Sequence, residues 1–122
     1  PHNMRLINAN NGIISHANHF INPGILPISE PLNPRRHLSE FRQKQMEVLL
    51  HEQKPVDVSG LMNILKNHKH HPQSLCRHRD ETLPDSQHTI TKTSMIMDIH
   101  DKKIWVTNGQ PCKTEFEEFT FG

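Results

Sequence analysis

Residues 22–34 contain Pro23, Gly24, Pro27, Pro31 and Pro34. Proline fixes φ and donates no hydrogen bond, so this stretch admits neither a helix nor a central strand. It cuts the chain into a short leading segment and a long remainder. Any sheet must be assembled from strands on either side of it.

Before the proline stretch, Met4–Ile7 is apolar and Asn10-Asn11-Gly12 is a strong turn signal. Ile13–Phe20 resumes as a β-type run, so the expectation is a hairpin around the glycine turn. After the stretch, Leu38, Phe41, Met46, Leu49 and Leu50 repeat near the helical period, predicting a helix over 39–50 with Ser39 as its N-cap. Pro55 closes that segment. Asp57 then caps a second helix over 58–67, carried by Val58, Leu61, Met62, Ile64 and Leu65. Residues 73–85 read as mixed strand and loop.

From His88 to Ile99 the pattern is β-like, with Met95, Met97 and Ile99 on one face and Ser94, Ile96 and Asp98 on the other. A polar turn at 100–103 leads to the strand Ile104–Thr107, stopped by Asn108-Gly109. Glu115–Phe121 alternates imperfectly around Glu117-Glu118. Strands at both ends of a helical pair define an α+β chain.

Composition sharpens this. Only 33% of the 122 residues are apolar, against about 45–50% in an ordinary domain. Leu, Ile, Val and Phe still make 30 of the 122, and the net charge is +1, so a disordered tail is excluded. The balance is that of a folding piece completed by further sequence or by a partner. Residue 1 is Pro1 and not Met, and we expect sequence upstream of it. No apolar run approaches the roughly 20 residues of a spanning helix, so a membrane partner is not expected. Lysines and arginines interleave with acids and form no stripe, which argues against nucleic acid. Cys76 and Cys112 are too few for a disulfide scaffold and fit a reducing, intracellular compartment, with one disulfide left open.

Eleven histidines invite a metal reading. Asn67-His68-Lys69-His70-His71 offers imidazoles, but no CxxC or HExxH accompanies them and both cysteines are isolated in sequence. A solvated helix end is the preferred reading, favourable to the helix dipole when charged. Neither a metal nor any other cofactor is expected. His16 and His19, three apart on a β-run, should point to opposite faces.

Asn18 is more informative, because Asn between two histidines is unfavourable in a strand. Its amide can donate two hydrogen bonds and so stabilise an oxyanion. The plainer alternative is an edge strand with ordinary polar residues. Cys76 lies near Arg77 and Arg79, and cations lower a thiol pKa. A buried, inert Cys76 beside a structural Arg77 is nonetheless preferred. Arg42 is equally a surface residue or an ion-pair partner. Asp98, on a Met-rich strand, calls for an arginine if it turns inward.

One ordered set of motifs unites these residues. It comprises Asn11-Gly12, His16-Ala17-Asn18-His19-Phe20, Arg42 with Met46-Glu47-Val48-Leu49-Leu50, Ser74-Leu75-Cys76-Arg77-His78, Thr93–Asp98, and Val106–Cys112. The set resembles the C-terminal portion of the acyl-coenzyme A:6-aminopenicillanic acid acyltransferase-like family of N-terminal-nucleophile hydrolases. No single motif is specific, but the order and spacing are, and they span nearly the whole chain. Ala17 departs from the Thr more common there.

The resemblance implies that residues 1–122 form the C-terminal part of one αββα sandwich domain. It further implies an amide hydrolase or acyltransferase whose Cys nucleophile, freed by self-cleavage, lies upstream of this chain. This chain alone would then be inactive. Asn18 matches the oxyanion donor; His19, Phe20, Arg42 and Arg77 match site-supporting positions. The implied partners are a small amide or acyl donor and the upstream portion of the same protein, with a homo-oligomer allowed. Two readings of other classes remain: a non-catalytic small-molecule or protein binding domain on a related fold, and a His-rich metal-binding module.

Overall fold

The computed structural model describes residues 6–21 and 30–122. The start of the expected first strand, at Met4 and Arg5, and residues 22–29 of the expected loop lie outside the described residues. The chain is α+β, with helices α1 (Arg36–Glu52) and α2 (Val58–Leu65) followed by strands β1 (Met95–Asp98), β2 (Lys103–Thr107) and β3 (Phe116–Thr120). It divides into two compact units, Pro1–Glu52 and Gln53–Gly122.

In the first unit the glycine turn forms as the sequence predicts. Asn11 and Gly12 both take positive φ, 50° and 79°, the backbone of a hairpin turn that Asn-Gly favours. Asn10 and Ile13 exchange backbone hydrogen bonds of 2.8 and 3.0 Å. Among the described residues the hairpin goes no further, and the expected strand over 13–20 is not built. Leu6 and Ile14 remain exposed on either side of the turn. An isolated two-stranded hairpin with nothing against its apolar face is marginal at best.

Helix α1 starts three residues before the expected point. Asn33 organises its entry: its side-chain oxygen accepts the Arg35 N–H at 2.9 Å and its carbonyl accepts the Arg36 N–H at 3.0 Å. Ser39 is therefore not the N-cap. It sits one turn inside and is buried, as is Gln45, while Leu38, Phe41, Met46, Leu49 and Leu50 are only half-buried.

In the second unit Asp57 caps α2 as expected, its carboxylate accepting the Gly60 N–H at 2.6 Å. Residues 73–85 form turns without a strand. The three strands make an antiparallel sheet in the order β1-β2-β3, and α2 contacts β1. Register pairs Ile96 with Trp105 and Trp105 with Glu118 on one face. It pairs Met97 with Ile104 and Ile104 with Phe119 on the other.

The two faces differ sharply. Ile96, Trp105 and Thr107 are buried, whereas Met95, Met97 and Phe119 are each at least half exposed. The Trp105 indole N–H donates to Glu118 at 3.0 Å, and Lys103 pairs with the same carboxylate at 2.8 Å. Asp98 does not turn inward to an arginine. It caps the β1–β2 turn, accepting the N–H groups of His100 and Asp101 at 2.9 and 3.0 Å.

Thr107 closes the sheet at the far end. Its hydroxyl accepts the Ser94 N–H and donates to the Gly109 carbonyl, both at 2.9 Å. Its carbonyl accepts from Thr93 at 2.8 Å. Gly109, at φ 128°, makes the turn that returns the chain toward Pro111 and Cys112.

Two outcomes follow for stability, both read by urea unfolding through Trp105, the chain's single tryptophan. Asp57→Ala removes the α2 cap and should cost about 1 kcal/mol. Thr107→Val keeps the volume but leaves the Ser94 N–H without its acceptor, and should cost about 1–3 kcal/mol. A Thr107→Val midpoint equal to the parent would show that the hydroxyl network contributes nothing net.

Candidate functional site

The segment predicted to carry chemistry is a turn and not a strand. The His19 N–H donates to the Ala17 carbonyl at 2.9 Å, which places Asn18 at the apex with its side chain exposed. This bend also overturns the expectation for the two histidines. The rings of His16 and His19 lie parallel, with centroids 6.2 Å apart, because the chain reverses between them.

His19 anchors the turn. It is buried, and its Nδ1 shares a 2.9 Å hydrogen bond with the Ser39 hydroxyl on α1. Burial, then the Arg36 guanidinium, holds its imidazole below the ordinary value of 6.5, so the neutral ring is favoured. Phe20 is fixed through its backbone: its N–H donates to Glu30 at 3.2 Å and its carbonyl accepts from Arg36 at 2.9 Å. Arg36 also pairs with Glu30 itself and, at 2.7 Å, with Glu40.

Arg36 thus ties this loop to α1, and sequence reasoning missed it. The available signal was its position two residues after Pro34, at the start of the helix. Arg42 donates to the Leu38 carbonyl of its own helix at 3.0 Å. Asn18 and Phe20, with His16, Glu30 and Asn33, line a cavity of about 340 Å³. A carboxamide exposed at a turn apex on a cavity wall can donate an N–H to a ligand oxygen.

Arg77 belongs to the other unit, where its main chain does the structural work. Its N–H donates to the Thr91 hydroxyl at 2.8 Å. Its carbonyl accepts the Thr91 N–H at 3.2 Å and the Gln110 side-chain amide at 2.6 Å. Its side chain lines a cavity of about 500 Å³ together with Arg79, His88 and Lys92.

Next to Arg77 lies a cluster that sequence spacing did not reveal. Cys76 and Cys112, 36 residues apart in sequence, bring their sulfurs to 3.4 Å and are free thiols. His78 Nε2 is 3.7 Å from the Cys76 sulfur and 3.4 Å from that of Cys112. His68 Nε2 is 2.9 Å from His78 Nε2. Cys76 is fully buried. Burial first, then the neighbouring Cys112 thiol, pushes its pKa up to about 11. That is the reverse of what an activated nucleophile needs, so the adjacent arginines do not make Cys76 a reactive thiol.

Residues 1–113 match the family model described as acyl-coenzyme A:6-aminopenicillanic acid acyl-transferase, and the chain belongs to that family. This is an acyltransferase family, so membership supports an enzyme of the acyltransferase or hydrolase kind. Curated proteins give no significant match.

The protonation of His19 has a defined sign. The unfolded chain takes up a proton near 6.5, while the folded ring resists it. Stability from this group is therefore fully present above about pH 6.5 and is lost as pH falls from there toward the lower folded value. A proton NMR titration of the ring should place the His19 midpoint below 6.5. His19→Gln should flatten that part of the stability profile. A midpoint at or above the ordinary value would contradict the buried neutral ring.

Proposed function

We propose that this chain supplies the C-terminal part of an N-terminal-nucleophile amide hydrolase or acyltransferase. The nucleophilic cysteine lies upstream, outside the present sequence. The observation that carries this reading is Asn18: its carboxamide is exposed at the apex of a turn whose flanks are fixed through His19–Ser39 and Arg36–Glu30. A donor held this way is preorganised for a charge that develops only in the transition state.

In the proposed reaction, self-cleavage frees the α-amine of the upstream cysteine. That amine takes the thiol proton as the sulfur attacks an amide carbonyl. The carbonyl oxygen becomes an oxyanion facing the Asn18 N–H groups. Collapse expels the amine, which leaves with the proton, and forms a thioester. Water or an acceptor amine then releases the acyl group. His19 and Phe20 act as positioning residues for Asn18. The family resemblance assigns Arg42 and Arg77 supporting roles; within its own unit Arg77 holds the frame it shares with Thr91 and Gln110.

The αββα sandwich is part of the same proposal. One face of the sheet buries Ile96, Trp105 and Thr107; the other carries Met95, Met97, Ile104, Val106 and Phe119, with Glu117 on the β3 edge, and of these Met95, Met97, Glu117 and Phe119 are exposed. A second sheet laid against that apolar face is the arrangement two packed sheets require. Upstream sequence would supply it, making residues 1–122 one part of a single domain.

The test uses the protein expressed from its whole reading frame. Mass spectrometry should find a processed chain beginning at Cys. Asn18→Ala should lower kcat by about 10²–10³ while the melting temperature moves little. An unprocessed protein with no amidase or acyl-transfer turnover would sink the enzyme reading in favour of a non-catalytic binding domain. Undiminished turnover in Asn18→Ala would remove the oxyanion role alone.

A further inference from the structure

We propose that His68, Cys76, His78 and Cys112 form a structural zinc site, independent of the amide chemistry. The four ligand atoms lie within 4.8 Å of one another. Zinc holds thiolate sulfur at about 2.3 Å and imidazole nitrogen at about 2.0–2.1 Å in a tetrahedron. Those bonds imply edges of about 3.8 Å between sulfurs, about 3.6 Å between sulfur and nitrogen, and about 3.3 Å between nitrogens. The observed edges are 3.4 Å for sulfur to sulfur, 3.7 and 3.4 Å for sulfur to His78, and 2.9 Å for His78 to His68. These four edges lie within about half an ångström of the ideal; the two from His68 to the sulfurs extend up to 4.8 Å, so loading draws the exposed His68 ring in toward the sulfurs.

The donor set selects the ion. Two thiolates with two imidazoles in a tetrahedral arrangement suit zinc and suit magnesium or calcium poorly. The ligands come from two stretches of chain: His68, Cys76 and His78 from the segment between α2 and β1, and Cys112 from the loop between β2 and β3. Each place is pinned independently of a metal. The Cys76 N–H donates to the Asn67 carbonyl at 3.1 Å, and the His78 N–H to the Pro72 carbonyl at 3.0 Å. The N–H groups of Lys113 and Thr114 donate to the Gln110 carbonyl on either side of Cys112. Zinc would therefore crosslink the segment that follows α2 to the loop between β2 and β3.

The proton balance is explicit. Zinc holds cysteine as thiolate, so capture of the ion releases the proton of each ligating thiol to solvent. His78 must bind through Nε2, which leaves its one remaining proton on Nδ1. That nitrogen lies 3.2 Å from the Gln110 amide nitrogen. Loading therefore turns the Gln110 carboxamide, which gives up its bond to the Arg77 carbonyl, so that its oxygen accepts from Nδ1–H, the usual outer partner of a ligating histidine. The Arg77 carbonyl then keeps the Thr91 N–H as its donor.

The experiment titrates cobalt(II), then zinc, into the full chain kept reduced by a phosphine. Cobalt should give thiolate charge-transfer absorption and the visible bands of tetrahedral geometry, saturating at one ion per chain, with zinc displacing it. Released protons should number two per zinc at saturation.

His68 is exposed, so His68→Asn should fold and should weaken zinc by more than the roughly 10–100-fold of an outer-shell change. Cys112→Ser should abolish one thiolate's share of the charge-transfer intensity. His100→Asn should change nothing. Three results would each overturn the proposal: no charge-transfer band in the reduced chain, a band unaltered by Cys112→Ser, or zinc uptake that releases no thiol protons and is a property of surface histidines. None of these readouts depends on amidase turnover.

Discussion

The buried hydroxyl of Thr107 is the interaction on which the unit Gln53–Gly122 depends. It accepts the Ser94 N–H at the start of β1 and donates to the Gly109 carbonyl in the turn after β2. One side chain thereby fixes where two strands end and where the chain goes next. Because the turn is fixed, Gln110 reaches the Arg77 carbonyl and Cys112 arrives beside Cys76. A hydroxyl buried to 1% exposure has no water to fall back on, so each of these bonds must be kept or its loss felt in full.

A second constraint shapes the leading unit. Asn18 is the most exposed part of a turn whose neighbours are the least exposed. His19 is buried on Ser39, and Phe20 is gripped through its backbone by Glu30 and Arg36. Rigid flanks around a free carboxamide are what an electrostatic role in an acyl-transfer site asks for, because the donor then reorganises little as charge develops. The neutral state of His19 belongs to the same design. A charged ring there would face Arg36, and its burial would oppose ionisation.

The sheet's two faces show how much of the fold the pattern conveyed. Alternation along 94–99 was legible, and so was the Asp57 cap, since both are local. Which face is covered was not legible, because Met95 and Met97 are more apolar as a pair than Ile96 with Asp98, yet Ile96 is the buried one. The helix stripe on α1 was read correctly as apolar, but the buried positions are Ser39 and Gln45. Ser39 was misplaced as a cap for the same reason: its partner, His19, lies 20 residues away.

By itself the sequence determined the elements that depend on neighbours within a turn or two. These are the Asn-Gly turn, the capped α2 and the β1–β2 hairpin. It also carried, in the order of its motifs, membership in the acyltransferase family. Only the tertiary structure decided that Asn18 sits on a bend, that Arg36 is the arginine holding that bend, and that two cysteines remote in sequence come within 4.8 Å of two histidines. The reason is physical. Local conformation is set by covalent geometry and short-range hydrogen bonds, whereas a site is a convergence of side chains fixed by packing and by buried polar groups that must find partners.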